Sequence, residues 1–134
     1  MSSESEVKSD LRYTEEHEWV RQDGDELVVG ITAFAVDQLG DITLVNIDVE
    51  VGDSVSAGET FGTIESVKTL SDLFAPVSGR VTAINSNLED APETINDDCW
   101  GEGWMLRIEC EDADEELDQL MDADAYQKFV AEGA

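Results

Sequence analysis

The fold class is decided by the stretch Phe61-Gly62-Thr63-Ile64-Glu65-Ser66-Val67-Lys68-Thr69-Leu70-Ser71-Asp72-Leu73-Phe74-Ala75-Pro76-Val77-Ser78-Gly79, residues 61–79. Apolar residues recur along the first part up to Val67, and a second run leaves Lys68 toward Pro76 and Gly79. Short runs of this kind, bounded by Gly, Pro and Ser, predict two strands on either side of a turn. The lysine falls close to that turn.

A faint internal repeat surrounds this stretch. Residues 40–46 (GDITLVN) align with residues 79–85 (GRVTAIN) at an offset of 39 positions, with Gly, Thr and Asn in register. Chance can produce such a match in a chain rich in Gly and Val. The alternative is two similar half-sheets related by a pseudo-twofold axis. The segment midway between the copies would then form a hairpin, with Lys68 at or near its tip.

Lys68 itself allows two interpretations. It can be an exposed turn lysine paired with Glu65 or Asp72, which contributes less than about 1 kcal/mol. Against this stands the scarcity of lysine, because Lys8 and Lys128 are the only others. Arginine serves a salt bridge as well or better, whereas a primary amine is needed when the side chain must form an amide with an acyl group.

The remainder of the chain predicts a mainly β domain with helical additions. Residues 19–22 and 27–31 form a predicted hairpin around an Asp-Gly turn, and residues 33–39 a short helix after Thr32. Residues 41–110 indicate short strands separated by turns, and two short helices follow. We therefore predict a polar, frayed tail (residues 1–10), a β domain (residues 11–110) and a helical appendage (residues 111–134).

Composition excludes several classes of function. The 134 residues include 33 acidic and 7 basic ones, a formal net charge of −26. Such a chain is repelled by nucleic acid and by anionic membranes, and no apolar stretch approaches the length of a membrane span. The N-terminus shows neither a signal core nor a transit-peptide composition, so we expect a cytoplasmic protein. The evenly spread acid favours adaptation to high salt over a dedicated acidic partner surface.

The two cysteines and the single histidine do not indicate a metal site. Cys99 and Cys110 fit no Cys-x-x-Cys pattern, and the single histidine cannot complete a usual zinc set. We expect buried or inert thiols, although a disulfide remains possible by count. The acidic run Asp112–Asp118 superficially resembles a calcium loop but lacks its glycine, and it predicts a solvated helix start.

Several fragments together are similar to the glycine cleavage system H protein family. The segment Glu65-Ser66-Val67-Lys68, followed by Ser71-Asp72 and by residues 75–79, resembles the family's lipoyl-attachment segment. Further resemblance extends over roughly residues 11–132 and includes Tyr13-Thr14, His17-Glu18-Trp19-Val20, Val29-Gly30-Ile31-Thr32, Leu39-Gly40-Asp41-Ile42, Val51-Gly52-Asp53, Asn96 and Gly101-Glu102-Gly103-Trp104. Together with the acidic bias, this resembles a halophilic, archaeal version of the family.

The resemblance implies a fold and a role. The fold is the lipoyl/biotinyl-type barrel-sandwich hybrid, or hammerhead, of two small antiparallel sheets with C-terminal helices. Lys68 would carry lipoate as an amide, and the chain would be a non-catalytic shuttle. Its implied partners are a pyridoxal-phosphate glycine decarboxylase, an aminomethyltransferase that uses tetrahydrofolate, a dihydrolipoyl dehydrogenase and the lipoylating enzymes.

The resemblance also assigns roles to four further positions. Glu18 and Asp72 match carboxylates near the family's cleft and would bind the aminomethyl nitrogen, although each can equally be an ordinary exposed acid. Glu65 and Gly79 match positions associated with lipoylation, and Gly79 is also explained as a turn glycine with positive φ. Phe34 replaces a polar residue of some relatives, so we expect it to form an apolar wall for the dithiolane.

Rival functions differ in single features. In biotin carriers the turn lysine is typically flanked by methionine, whereas here Val67 and Thr69 flank it. Lipoyl domains of 2-oxo-acid dehydrogenases usually sit in long chains with linkers. A lipoyl relay, which only passes lipoate on, shares the motif with the cleavage carrier. A hydrolase or transferase lacks a nucleophile paired with histidine, and a purely acidic binding module would leave Lys68 unmodified.

The charge distribution predicts a strong dependence of stability on salt. At a net charge of −26 the repulsion between carboxylates is screened only when the Debye length is short, about 3 Å at 1 M salt. We expect the melting temperature to fall steadily as NaCl is diluted from molar to millimolar concentrations. Differential scanning calorimetry at constant pH measures this, and an unchanged melting temperature would refute the halophilic interpretation.

Overall fold

A computed structural model describes residues 11–132, so the predicted tail at residues 1–10 lies outside the described residues. Within them the chain forms nine strands: β1 (Arg12–Tyr13), β2 (Glu18–Asp23), β3 (Glu26–Ile31), β4 (Ile42–Ile47), β5 (Ser54–Val55), β6 (Thr60–Ser66), β7 (Leu70–Phe74), β8 (Gly79–Ile84) and β9 (Leu106–Glu109). Five short helices accompany them: α1 (Ala33–Leu39), α2 (Asn87–Asp90), α3 (Thr94–Asp97), α4 (Ala113–Asp118) and α5 (Ala123–Ala131). None of the described helices has the length and hydrophobicity to cross a lipid bilayer.

The strands form two antiparallel sheets of unequal size. One has six strands in the order β1-β2-β3-β9-β8-β5, and the other has three in the order β4-β6-β7. Buried side chains of both sheets, among them Val29, Phe61, Ile64 and Ile108, belong to one hydrophobic cluster. The predicted mainly β fold of two antiparallel sheets is confirmed, and the sheets do not close into a barrel.

The two copies of the internal repeat occupy different sheets. The first copy contains β4, in the three-stranded sheet, and the second contains β8, in the six-stranded sheet. Between them runs the hairpin of β6 and β7, with Ile64 paired to Ser71 and Glu65 paired to Leu70. The hairpin predicted from the repeat, with Lys68 in its turn, is therefore confirmed.

Helix α1 begins and ends where local chemistry directs. The Thr32 hydroxyl accepts a hydrogen bond from the Ala35 amide at 3.2 Å, as an N-cap residue does. Gly40 ends the helix at φ 77°, a left-handed conformation that favours glycine. Asn96 fastens the next strand, because its side chain accepts from the Ile42 amide and donates to the Gly40 carbonyl, both at 2.9 Å.

The C-terminal helices pack on the outer strands of the larger sheet. The Asp122 side chain accepts from the Ala125 amide at 2.9 Å and thereby starts α5. Tyr126 of α5 is fully buried and stacks on Tyr13 of β1, with ring centroids 4.5 Å apart. Residues 111–132 thus cover the domain, while the predicted domain boundary at residue 110 stays a prediction.

One part of the secondary-structure prediction is wrong. The sequence predicts only short strands and turns over residues 41–110, but this part of the chain also contains the single-turn helices α2 and α3. Each helix buries one apolar residue, Leu88 or Ile95, in the main core. A four-residue helix provides too little apolar periodicity for a sequence pattern to reveal it.

Two leucines of β7 test how the hairpin is held. Leu73 is 2% exposed and Leu70 is 60% exposed. We expect Leu73→Ala to lower the free energy of unfolding by about 2–5 kcal/mol, because it leaves a cavity in the core. Leu70→Ala, the matched control, should change it by less than about 0.5 kcal/mol. Urea unfolding in molar salt measures both, and equal effects would contradict the described orientation of β7.

Candidate functional site

Lys68 lies at the tip of the β6–β7 hairpin and is exposed. The turn closes through a hydrogen bond from the Ser66 amide to the Thr69 carbonyl at 2.8 Å. The Ser66 hydroxyl accepts from the amides of Lys68 and Thr69, both at 3.2 Å. Serine provides this local turn bonding readily, so Ser66 shapes the loop that presents the lysine.

The turn is also attached to the end of helix α1. The Val67 amide donates to the Asp41 carbonyl at 3.0 Å. A Cβ atom placed on Gly40 would lie 3.4 Å from Lys68 Cε and 3.7 Å from Val67 Cγ2. The stem of Lys68 therefore runs over Gly40, whose missing side chain leaves room for it, and the amine emerges beside α1.

The Lys68 ammonium has no carboxylate partner within residues 11–132, where the salt bridges are formed by Arg80 and Arg107. The alternative in which Lys68 pairs with Glu65 or Asp72 is therefore wrong. An amine without an ion pair can be acylated, which removes its charge, at no loss of a salt bridge. This suits a nucleophile better than a structural cation.

Three large apolar side chains are exposed on the hairpin and on the neighbouring strand β4. Val67 and Leu70 are 66% and 60% exposed, and Leu44 on β4 is 45% exposed. Glu65 pairs with both Leu44 and Leu70, so these three residues form one row across the sheet. The charged Glu65 therefore separates the two exposed leucines in that row.

A cavity of about 200 Å³ lies between the free edge of β7 and helix α1. Its apolar walls are formed by Ile31, Ala35, Leu39, Ile64 and Leu73, and its polar lining by Glu16, His17, Glu18, Gln38, Ser71 and Asp72. Glu18 and Asp72, which match carboxylates near the family's cleft, thus line one cavity although they come from different sheets. Their roles as ligands for an amine stay predictions.

Glu18 is not an ordinary exposed acid, because its side chain is only 2% exposed. One carboxylate oxygen accepts from the Phe74 amide at 2.7 Å, and the other accepts from the Thr14 hydroxyl at 3.3 Å. Burial disfavours the charged form and raises the pKa of Glu18 to about 8, although both hydrogen bonds act in the opposite direction. Asp72, by contrast, is exposed at the mouth of the cavity.

The two positions linked to lipoylation lie apart. Glu65 is on β6, next to the turn, whereas Gly79 begins β8 in the other sheet and pairs with Val55. Gly79 does not have a positive φ, so its interpretation as a turn glycine is wrong. A Cβ there would lie 2.3 Å from the Glu109 carbonyl oxygen, and close strand contact explains the glycine instead.

Sequence patterns reveal little of the cavity lining, and one residue predicted to form its wall lies elsewhere. The Phe34 ring packs on His17, with centroids 4.7 Å apart, and does not line the cavity. Ala35 and Leu39 form the wall in its place, and their spacing of four residues on one helix face was the available signal. Ser71 lies between two exposed residues of β7, Leu70 and Asp72. Nothing in the sequence pattern indicated that it lines the cavity.

The remaining candidate groups are the two cysteines and the acidic run after Cys110. Cys99 and Cys110 form no disulfide with each other and both are buried, as expected. In the described part of the chain no group of three or more His, Cys, Asp or Glu residues could hold a metal ion. The acidic run after Cys110 forms the start of α4, as predicted.

Comparison with known proteins points to one family. The family model described as "Glycine cleavage H-protein" matches residues 11–133. A glycine cleavage system H protein from Anaeromyxobacter sp. (strain K) is 55% identical over 127 residues, which cover 95% of this chain and 98% of that protein. A probable glycine cleavage system H protein from Haloarcula marismortui is 53% identical over 124 residues, covering 92% of this chain and 96% of the relative.

A solved structure agrees with these relatives. The crystal structure of a glycine cleavage system H protein from Mycobacterium marinum is similar to this chain with a TM-score of 0.80 and 37% identity. The similarity covers 94% of this chain and 98% of the other.

Glu18 makes stability depend on pH in a defined direction. Its pKa of about 8 in the folded state lies above its ordinary value of 4.5, so its contribution to stability is full below pH 4.5 and is lost as the pH rises through 8. Between pH 5 and pH 8 the loss is on the order of 3 kcal/mol. We expect Glu18→Gln, which keeps an oxygen for the Phe74 amide, to remove this part of the slope.

Urea unfolding at pH 5, 6.5 and 8 measures the difference between the two proteins. Glu16→Gln is the matched control, since Glu16 is exposed at the same cavity. An equal slope in wild type and Glu18→Gln would show that the carboxyl is ionised throughout.

Proposed function

This chain belongs to the glycine cleavage H-protein family, and on that premise we propose that the Nζ atom of Lys68 holds its lipoyl group in an amide bond. Members of this family are the lipoyl carriers of the glycine cleavage system, and this chain has that role. The single observation that supports Lys68 as the attachment point is its exposed amine without an ion pair at the hairpin tip.

The surroundings of Lys68 favour it over the other described lysine. Lys128 lies on α5, within a regular helix. Lys68 stands in a turn whose backbone is held by Ser66 and by Asp41, so the enzyme that acylates it meets a rigid loop and an accessible amine. Preorganised presentation of one reactive atom lowers the entropic cost of such a reaction.

The cavity beside α1 fits a lipoyl arm. An extended lipoyl-lysine reaches on the order of 10–15 Å from the backbone, and the cavity lies against the same hairpin. When bound, the lipoyl group supplies a dithiolane that accepts and releases the aminomethyl group. The apolar walls at Ala35, Leu39 and Ile64 suit a hydrocarbon arm, and the carboxyl groups of Glu18 and Asp72 suit an amine.

The electrostatics of Glu18 make the cavity selective for a loaded arm. Without a cation nearby, burial keeps the pKa of Glu18 at about 8. A cationic amine in the cavity favours the ionised carboxylate and forms a charge-assisted hydrogen bond with it. An arm without cargo lacks that charge and gains nothing from Glu18. The cavity therefore retains the arm while it holds an amine and releases it afterwards.

The partners follow from this role. We propose that the chain exchanges its arm between a pyridoxal-phosphate glycine decarboxylase, a tetrahydrofolate-dependent aminomethyltransferase and a dihydrolipoyl dehydrogenase. Val67 and Leu70 flank the arm and offer apolar contact to each of them. Glu65, in the row beside Leu70, is the contact we propose for the lipoylating enzymes. Gly79 acts at a distance, through the fit of β8 to its neighbour.

The chain acts as a carrier and not as a catalyst. Its one histidine, His17, has Nδ1 at 2.9 Å from the Tyr126 hydroxyl, and no serine or cysteine is hydrogen-bonded to it in residues 11–132. A nucleophile activated by histidine is therefore not formed in this part of the molecule.

Lys68→Arg separates this proposal from its rivals. The variant keeps the positive charge but cannot form the amide, so we expect no lipoyl adduct by intact mass and complete loss of glycine–bicarbonate exchange with the cognate decarboxylase. Lys128→Arg is the control and should be lipoylated and active. The Lys68→Arg protein should also retain the wild-type melting temperature, since the Lys68 side chain forms no salt bridge within residues 11–132.

Two outcomes would contradict the proposal. A lipoyl adduct on the Lys68→Arg protein would place the attachment elsewhere. A wild-type protein that carries lipoate but gives no glycine–bicarbonate exchange would be a lipoyl relay.

A further inference from the structure

His17 has an unusual backbone conformation. Its φ is 67°, and it is the one residue other than glycine with a positive φ among residues 11–132. The left-handed region costs an L-residue roughly 1–2 kcal/mol, so it persists only where the surroundings impose it. Such strain is often found where a binding site requires it.

The strained turn orients three successive side chains toward one space. Glu16, His17 and Glu18 all line the cavity beside β7. In an extended strand successive side chains point to opposite faces of the sheet. The left-handed turn at His17 removes this alternation just before β2, and it allows the Glu18 carboxylate to reach the Phe74 amide at 2.7 Å.

Backbone hydrogen bonds hold both sides of His17. Its amide donates to the Thr14 carbonyl at 3.1 Å, and its carbonyl accepts from the Thr32 amide at 3.0 Å. The Thr14 hydroxyl accepts from the amides of Glu16 and Glu18, both at 3.2 Å. These hydrogen bonds close the turn, but none of them involves the imidazole ring, whose orientation depends on other contacts.

The ring is fixed by a tyrosine from the C-terminal helix. Tyr126 Oη lies 2.9 Å from His17 Nδ1 and 2.8 Å from Thr32 Oγ1. Tyr126 is fully buried and its ring is held by stacking on Tyr13 at 4.5 Å. One rigid hydroxyl thus joins the residue before Glu18, the N-cap of α1 and helix α5. Tyr126 does not itself line the cavity.

We propose that Tyr126 is a positioning residue, whose hydroxyl orients His17 and through it sets the Glu18 carboxylate toward the cavity that receives the loaded arm. The inference rests on the proposed function of that cavity. Without the hydroxyl, the imidazole loses its partner and the turn relaxes toward an ordinary φ. Glu18 then moves away from β7, and water gains access to the cargo.

The first test uses the unmodified protein and needs no lipoate. In Tyr126→Phe the ring stack remains but the bonds to His17 and Thr32 are lost. We expect native-state hydrogen exchange at the Phe74 amide to become about tenfold faster, because its acceptor Glu18 is displaced. Val130→Ala is the control. Val130 lies on α5 and packs against the same hydrophobic cluster as Tyr126, but it has no hydrogen bond to His17.

His17→Gly distinguishes the hydrogen bond from the backbone strain. Glycine adopts the positive φ without cost, but it lacks the ring that Tyr126 orients. We expect faster Phe74 exchange in this variant too, because without the ring the turn is no longer tied to Tyr126, and glycine adopts ordinary φ values just as readily. If the Tyr126→Phe protein does not fold, Phe74 exchange in His17→Gly tests the positioning role in its place.

The second test measures retention of the cargo on the lipoylated protein. After loading by the decarboxylase, water attacks the aminomethyl carbon, the carbon–sulfur bond breaks, and thiol, formaldehyde and ammonium result. Without tetrahydrofolate we expect Tyr126→Phe to release formaldehyde about tenfold faster than wild type and Val130→Ala, while its rates of lipoylation and loading stay unchanged.

Each outcome bears on one proposal alone. Wild-type Phe74 exchange and wild-type cargo release in Tyr126→Phe would overturn the positioning role. Equal acceleration in Val130→Ala would do the same, by assigning the effect to packing of α5. Failure of the wild-type protein to accept any cargo would instead overturn the proposed function of the cavity.

Discussion

The antiparallel pairing of β6 with β7 is the constraint on which the rest of the site depends. With Glu65 opposite Leu70, the chain must reverse within Ser66–Thr69, and the Ser66 hydroxyl closes that turn. The strand pairing therefore places Lys68 at the hairpin tip, independently of the conformational preference of lysine itself. Because β4 occupies the other side of β6, strand β7 becomes the edge of its sheet, and the cavity beside α1 forms along that edge.

A single buried carboxylate links the two sheets at this cavity. Glu18 begins β2 of the larger sheet and accepts from the Phe74 amide at the end of β7. Its pKa of about 8 reflects a carboxyl group held where water cannot solvate its charge. Natural proteins accept such local cost at functional sites. In the function proposed for this cavity, a cationic amine would offset that cost, so the feature that weakens the empty domain would strengthen the loaded one.

Local patterns predicted much of the fold, whereas the site depends on contacts between distant segments. The 40–46 and 79–85 repeat located the hairpin and Lys68, because strand and turn signals act within a few residues. The burial of Glu18 could not be predicted, since glutamate is rarely buried and its partner Phe74 lies 56 positions away. For the same reason Gly79 was misinterpreted: the Glu109 carbonyl that forbids a side chain there comes from β9.

The position of β7 also bears on how separate molecules behave. A free sheet edge exposes backbone amides and carbonyls that a strand from another chain can extend, and this is a common route to aggregation. Glu18 occupies one such amide, α1 lies along the remainder of the edge, and the turn is fastened to Asp41. The elements that line the proposed amine site therefore also stand where a strand from another copy would have to pair with β7.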